Sequence, residues 1–536
     1  MKKYLLSLLT LFSPLLLIAQ EAEAVGIDQK IDQAFKPISD AISSVIFFEV
    51  YEDAPFVIIL LVLSAAFFTI YFGFPNIRFF GKAINTVRGK YDEIEGHGLG
   101  DPDAAVDGDI RDTIRDESKD GEVTHFQALA TAVSGTVGNG NIAGVALAIA
   151  LGGPGATFWM IICGLLGMST KFVECTLGVQ YRDVDENGTL YGGPMYYLSK
   201  GLKEKGFATL GKITAVLFAI FCIGGSFGGG NAAQSNQATI VLKDLLGLES
   251  TGAGFWIGVI LAVLVGIIII GGIKRIASVT EKVVPFMAVL YIAACLYIIF
   301  SNFGLVDDAF GLIAREAFNP KAIGVGGIIG VLLVGFKRAA FSNEAGAGSA
   351  SIAHSAVKTK YSASEGLVAL LEPFIDTVVI CTMTALVIII FNFGGFFEYG
   401  QLVGAPDGAV LIDGVAYEGA GITAKAFAAY IPYSGVFLTI AVVLFAVSTM
   451  ISWSYYGLQS WKYLFGRGKR ADLVYKILFL TFVIIGAAAS MDSIWAFSDA
   501  MIFAMVFPNM IGLYFLFPVV KKQLRRYLDA IKVAAR

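Results

Sequence analysis

Ser134-Gly135-Thr136-Val137-Gly138-Asn139-Gly140-Asn141 interrupts an apolar stretch, 125–150, that is otherwise long enough to cross a bilayer as one helix. A bare N–H or C=O in hydrocarbon is costly, so a helix breaks there only where protein, water or a ligand satisfies the freed groups. Interleaved Ser, Thr and Asn supply polar partners, and Gly138 and Gly140 let a ligand approach the backbone closely. A second interruption runs from Gly335 through Phe341-Ser342-Asn343-Glu344-Ala345-Gly346. Paired breaks at corresponding positions of two half-chains mark a transporter site near the bilayer midplane.

The surrounding chain supports that reading. Its 536 residues are 56% hydrophobic and 15% charged, with a mean hydropathy of +0.72. This is too apolar for an ordinary soluble domain. Apolar runs fall at 56–75, 125–150, 156–178, 210–243, 254–273, 280–301, 320–345, 366–393, 432–457, 473–490 and 493–518, so eleven membrane helices are expected. Five occupy 125–301 and five occupy 320–518; an odd number per half turns the second half upside down relative to the first. Helix 56–75 precedes them. Residues 1–24, with Lys2 and Lys3 before a short apolar run and Ala22-Glu23-Ala24 after it, read as a signal peptide. In 25–55, Ile27, Ile31, Phe35, Ile38, Ile42 and Ile46 have the spacing of an amphipathic helix on the outer face.

Lys and Arg set the orientation. With the mature N-terminus outside, 31 of the 39 fall on the cytoplasmic side, among them Lys337 and Arg338, and six fall outside. The cytoplasmic side then holds the acidic loop 76–124 and the basic tail 519–536, and the expected location is the cell inner membrane. Five cysteines, all in or beside apolar spans, read as core residues and not as a disulfide framework. Three histidines, 97, 125 and 354, have no metal-ligand spacing, and no phosphate-binding loop or nucleophile elbow occurs. Catalysis and a bound cofactor are not expected, nor is a nucleic-acid partner. Transport must draw on an ion gradient.

Several residues are candidates for the site. A half-helix resuming after the break aims its positive end at the cavity, which suits a carboxylate held at Gly138, Asn139 and Gly140. Carbonyls of Ser134 and Val137, with the mid-span hydroxyls of Ser448 and Thr449, suit a hard cation such as Na⁺; a back-bond to their own helix is the plainer role for those hydroxyls. Trp453 stands one turn beyond Thr449 and either faces the same cavity or anchors at the interface. Phe227, Asn231 and Gln234, at i, i+4 and i+7, share a helical stripe that suits either ligand contact or helix–helix contact. Asp376 is an intramembrane carboxylate and so a functional candidate, whether at the ligand, as a proton carrier, as a gate, or in a pair with Lys337 or Arg338. Lys171 and Glu174 read as a pair at a helix end.

At these residues the sequence resembles the alanine or glycine:cation symporter family, also called sodium:alanine symporters. The resemblance covers about 27–510 and rests on Ala130 to Gly144, Gly152-Gly153-Pro154-Gly155-Ala156, Thr170-Lys171-Phe172, Gly192-Gly193-Pro194-Met195-Tyr196-Tyr197, Phe341 to Gly346, Phe374-Ile375-Asp376-Thr377 and Trp453-Ser454-Tyr455-Tyr456-Gly457. It implies an all-α, LeuT-type fold of two inverted five-helix repeats and symport of Na⁺, occasionally H⁺, with small neutral amino acids. Carried over by motif, the first broken helix serves carboxylate and ion, and Ser448 with Thr449 completes the ion site; Gln234, Phe336 and Trp453 wall the substrate. Asn343 and Glu344, in the second break, are candidates for gating. The leading expectation is uptake of alanine or glycine with Na⁺ by alternating access. Its rivals are H⁺ coupling or another small amino acid on the same fold, and a sensor that binds amino acids without concentrating them.

Overall fold

A computed structural model describes residues 27–51, 54–94, 123–185, 189–248, 250, 252–319, 327–400 and 408–534. The expected signal peptide and most of the acidic loop lie outside the described residues. The described chain is helical, with three small antiparallel hairpins between helices. In order, α1 is Ile27–Ile46, α2 Phe56–Tyr71, α3 His125–Thr136, α4 Val145–Gly152, α5 Gly155–Gln180, α6 Ala208–Phe227 and α7 Ala233–Leu246. Then come α8 Ala253–Ile269, α9 Gly272–Ser301, α10 Val306–Phe318, α11 Gly327–Asn343, α12 Ala350–His354, α13 Ser362–Ala369 and α14 Thr382–Asn392. The last are α15 Ala420–Ala428, α16 Ser434–Phe465, α17 Lys469–Ala488 and α18 Met491–Ala534.

Among the described residues, seven helices, counting α6 with α7 and α13 with α14 as continuous, are long and apolar enough to cross a membrane. The pair α3 and α4, bent by 51° at its break, makes an eighth. The remaining three expected spans fall on shorter helices, α2, α8 and α11. On α8 and α9, Trp256, Ile260, Phe286 and Val289 are all more than 60% exposed. Such a belt of large apolar side chains is stable facing lipid and unstable in water. The chain is a multi-pass integral membrane protein. Its five cysteines are buried and free, as expected of core residues.

Helix α1 lies on protein, fixed along its length. The Phe35 ring sits edge-on to Phe497 and Phe482, with centroids at 5.1 and 6.5 Å. Ser39 Oγ donates to the Ser493 carbonyl at 2.7 Å, and the Asp32 carboxylate accepts from the Ser490 N–H and hydroxyl. Asp28 accepts from the N–H groups of Gly254 and Phe255, satisfying donors that the first turn of α8 leaves open.

The opposite end of the bundle is tied differently. Arg467 and Lys200 both hold Asp183, at 2.5 and 3.3 Å. Burial pushes the Asp183 carboxyl up, but the two cations outweigh it and hold the group below the usual carboxylate range. The tie therefore contributes above the ordinary carboxylate pKa and is lost only as pH falls through the depressed one.

Lys337 and Arg338 correct the sequence reading. Both belong to the α1 end, since Lys337 Nζ lies 4.5 Å over the Phe47 ring and both cations hold Asp499. Moving them across leaves 29 basic residues against eight, so the asymmetry keeps its sign.

Candidate functional site

Thr124 starts α3 with a reciprocal cap: its hydroxyl accepts from the Gln127 N–H at 3.2 Å, and the Gln127 side chain accepts from the Thr124 N–H at 3.1 Å. The helix ends at Thr136, and a π-turn over Gly140–Gly144 leads into α4. The break is thus where the sequence places it. Its freed groups have named partners. The Gly138 N–H donates to Asn141 Oδ1 and the Asn139 N–H to Gln234 Oε1, both at 2.9 Å. N–H groups pointing freely at a carboxylate, as expected from the sequence, are not what Gly138 and Asn139 present: two side-chain amides occupy those donors. Replacing Gln234 with leucine removes one acceptor and leaves a buried N–H bare, at a cost of about 1–3 kcal/mol. A lowered midpoint of thermal unfolding in detergent checks this.

Oxygens gather on the other side of the break. Ser134 Oγ donates to the Ser448 carbonyl at 2.8 Å, and Thr449 Oγ1 faces the Val137 carbonyl at 3.5 Å. Ser448 Oγ also back-bonds to Phe445 at 3.0 Å, so its plainer role holds as well. These residues are no more than 2% exposed. Gly138 stands between this cluster and Gln234: a Cβ there would clash with Thr449 Oγ1 and lie 3.0 Å from Gln234 Oε1. Two hydroxyls and two carbonyls thus meet in pairs in a buried interior, with the expected roles of Ser134 and Ser448 exchanged: the Ser134 hydroxyl and the Ser448 carbonyl face each other.

The second break begins later than expected, because α11 runs unbroken to Asn343. Glu344 then takes a φ of +55°, and Gly346 and Gly348 take +97° and +87°, before α12 resumes. Glu344 holds this strained position by accepting from Ser349 and from Trp453 Nε1, the latter at 2.9 Å. Trp453 is thereby an interior residue and not an interfacial anchor. Its indole lies against Gly230, where a side chain would collide with it, and close to Gly225, where a Cβ would crowd it at 3.3 Å.

Asp376 links the two breaks. It accepts from Asn141 Nδ2 at 2.7 Å, from Ser342 Oγ at 3.1 Å and from Thr377 Oγ1 at 2.6 Å. Asn343 Nδ2 in turn donates to Thr377 Oγ1 at 2.9 Å, while Asn343 Oδ1 accepts from the Ala345 N–H. The expected pairing of Asp376 with Lys337 or Arg338 is overturned, because both cations hold Asp499 instead. Asp376 itself lies in a π-helical stretch, Phe374–Cys381, that turns its carboxylate inward.

The stripe read through Phe227, Asn231 and Gln234 does not exist as one face. A π-turn over Gly228–Ala232 shifts the register, so only Gln234 reaches the first break. Phe227 stacks on Phe482 at 4.6 Å, and Asn231 Nδ2 donates to the Phe479 carbonyl at 2.6 Å, both toward α17. Phe336 lies on α11 with its ring tilted toward Trp159 at 6.4 Å. Lys171 does not pair with Glu174; it meets Glu372 at 3.0 Å, and Glu174 accepts from Asn509 at 2.7 Å.

Sequence reading missed a buried chain of charge. His125 binds Glu365, which binds His354 at 2.5 Å; His354 faces Glu372 at 3.5 Å, and Glu372 holds Lys171. The available signal was charge inside apolar spans, but neighbours in this chain are up to 240 residues apart, as His125 and Glu365 are.

A model of the sodium:alanine symporter family matches residues 38–536. A sodium/alanine symporter of Methanococcus maripaludis is 39% identical over 484 residues, covering 90% of this chain and 96% of that protein. An amino-acid carrier protein of Bacillus subtilis is 31% identical over 463 residues, covering 86% and 87%. Among solved structures, the crystal structure of MhsT in complex with L-phenylalanine matches with a TM-score of 0.49 and 15% identity, covering 76% of this chain and 99% of that one.

Proposed function

Because the chain belongs to the sodium:alanine symporter family, a family of cation-coupled amino-acid transporters, we propose that it carries alanine or glycine into the cell together with Na⁺. The observation that carries this reading is the gathering of Ser134, Val137, Ser448 and Thr449 at a helix break. Two helices far apart in sequence are bridged there by oxygens that one ion completes. Sodium binding draws α16 onto the break and fixes its other side, where Gly138, Asn139, Gly140 and Gln234 meet the amino acid.

A LeuT-type fold suits this transport, with 125–301 and 320–518 as inverted repeats and 56–75 as the preceding helix. In favour stand two broken helices, α3 with α4 and α11 with α12, each opening one half. The mature N-terminus and α1 face outward and the basic tail faces the cytoplasm of the inner membrane, by the balance of Lys and Arg. One charge entering gains about 2.3 kcal/mol per 100 mV. A tenfold sodium gradient adds about 1.4 kcal/mol, and together they sustain roughly 500-fold accumulation of a neutral solute.

Uptake of labelled alanine into proteoliposomes tests the coupling. Accumulation should follow an imposed inward Na⁺ gradient and be strengthened by an inside-negative potential; uptake indifferent to Na⁺ rejects the reading. A second reading, H⁺ in place of Na⁺, is favoured by one observation, the fully buried Asp376 carboxylate touching both breaks. It expects alanine uptake driven by an inward pH gradient without Na⁺, and loss of that uptake in Asp376→Asn.

A further inference from the structure

Two stretches far apart in sequence, 71–91 and 510–528, hold eight Lys and Arg and no Asp or Glu. They lie side by side. Lys521 Nζ stands 4.4 Å over the Tyr71 ring, and the Thr86 and Tyr527 hydroxyls are 3.2 Å apart. The first stretch leaves α2 by a sharp turn at Gly73 and Phe74, both at positive φ, and continues as the short helix Phe80–Val87. The second belongs to the end of α18.

Helix length sets the depth. At its start α18 meets α1, where Ser39 bonds to Ser493. Lys521 follows Ser493 by 28 residues, roughly 42 Å of helix, which matches the about 40–45 Å of a bilayer with its headgroups. Lys521 therefore stands in the headgroup layer of the opposite leaflet. On its membrane side the surface suits acyl chains: Phe67, Ile70, Tyr514 and Phe515 are exposed, the Phe67 and Tyr514 rings lie 5.5 Å apart, and Tyr71 meets Phe517 at 4.6 Å. Phe74 and Ile77, 49% and 74% exposed, hold the turn after α2 in the interface.

The cations are sorted onto one side. Toward the end of α18, Val520, Gln523, Leu524 and Tyr527 are buried. This leaves Lys521, Arg525 and Arg526 on the opposite face, with Lys521 and Arg525 one turn apart. None of the three forms an ion pair among the described residues, whereas Lys532, further along, is taken by Asp529 at 2.9 Å. Arg78 and Lys82 stand on the neighbouring stretch, between its two ties to α18. Charges that only orient a chain in the membrane need a common side; they need not converge. A converging cluster at the end of a membrane helix, above an aromatic groove, has the chemistry of a phosphodiester site.

We propose that the end of α18 and the turn after α2 bind an anionic phospholipid, its phosphate held by Lys521, Arg525 and Arg78 and its acyl chains laid along Phe67, Ile70 and Tyr514. The inference needs only that the chain crosses a membrane, and it stands or falls apart from the solute and ion carried. Native mass spectrometry of the full chain, titrated in detergent with phosphatidylglycerol or phosphatidylcholine, tests it. The wild type should retain phosphatidylglycerol at concentrations at least about tenfold below those that phosphatidylcholine requires. Arg525→Gln, at an exposed position outside the packed core, should weaken that retention about fivefold, and Lys521→Gln combined with it roughly thirtyfold. Lys532→Gln, whose cation is already paired, should leave it unchanged. Equal retention of the two lipids by the wild type, or phosphatidylglycerol binding untouched by Arg525→Gln and by the double change, overturns the site. Displacement of the lipid by inorganic phosphate or heparin at equal concentration overturns it as well, since the cluster would then serve a soluble anion.

Discussion

Gly138→Ala should lower sodium-driven alanine uptake by roughly a hundredfold. The reason is local. One methyl group at this position clashes with Thr449 Oγ1 and lies 3.3 Å from Thr449 Cβ, so Thr449 must turn away or α16 must shift from the break. Either response withdraws the Thr449 hydroxyl from Val137, and a shift of α16 also parts Ser448 from Ser134, which separates the oxygens proposed to hold the ion. The same methyl lies 3.0 Å from Gln234 Oε1 and disturbs the acceptor of the Asn139 N–H. Ion and substrate sides are thus damaged together. Initial rates in proteoliposomes under a fixed Na⁺ gradient give the size of the loss, and sodium-dependent thermal stabilisation gives its cause. In the wild type Na⁺ should raise the unfolding midpoint by mass action; in Gly138→Ala that rise should vanish. Thr449→Val, which keeps the shape and removes the hydroxyl, should lose the sodium effect without the overpacking. Coupled uptake in Gly138→Ala within a few-fold of wild type would sink the assignment of this break.

The first break was legible because hydrophobic length and glycine placement are local properties. Gly138, Gly140 and Asn141 could be read as a backbone in need of partners before any partner was known. Which residue supplied each partner was less accessible. Gln234 was singled out on a stripe with Phe227 and Asn231, and only the π-turn at Gly228–Ala232 separates it from them. A π-turn inserts a residue without changing composition, so a 3.6-residue period carries straight across it and misplaces everything beyond. The same cause hid the inward turn of Asp376. Lys337 and Arg338 were misplaced because the second break was set too early. With α11 continuous to Asn343, those cations stand on the α1 side of it, within reach of Asp499. Charge pairs such as Lys171 with Glu372 depend on which helices become neighbours, and no pattern local to either span encodes that.

Lys171→Met should destabilise the protein by about 3–5 kcal/mol, the largest effect on stability expected of a single change here. Lys171 and Glu372 are each fully buried and 3.0 Å apart. Taking away the ammonium leaves a carboxylate in the dry interior with His354 at 3.5 Å as its remaining charged neighbour. The stress passes along the chain, since His354 also serves Glu365, and Glu365 serves His125. These four partners sit on or beside α3, α12 and α13, so the chain pins the half-helices that flank both breaks against α5. Removing both members, as in Lys171→Met with Glu372→Gln, leaves no uncompensated charge and should recover most of the lost stability. Thermal inactivation half-lives in detergent measure all three variants, because a protein of this size unfolds irreversibly. A single variant as durable as the wild type, or a double variant no better than the single, would show that the pair is not the electrostatic clamp its geometry describes. The double variant also separates stability from work: if it is durable yet transports slowly, the charge chain keeps the two half-helices moving as one body.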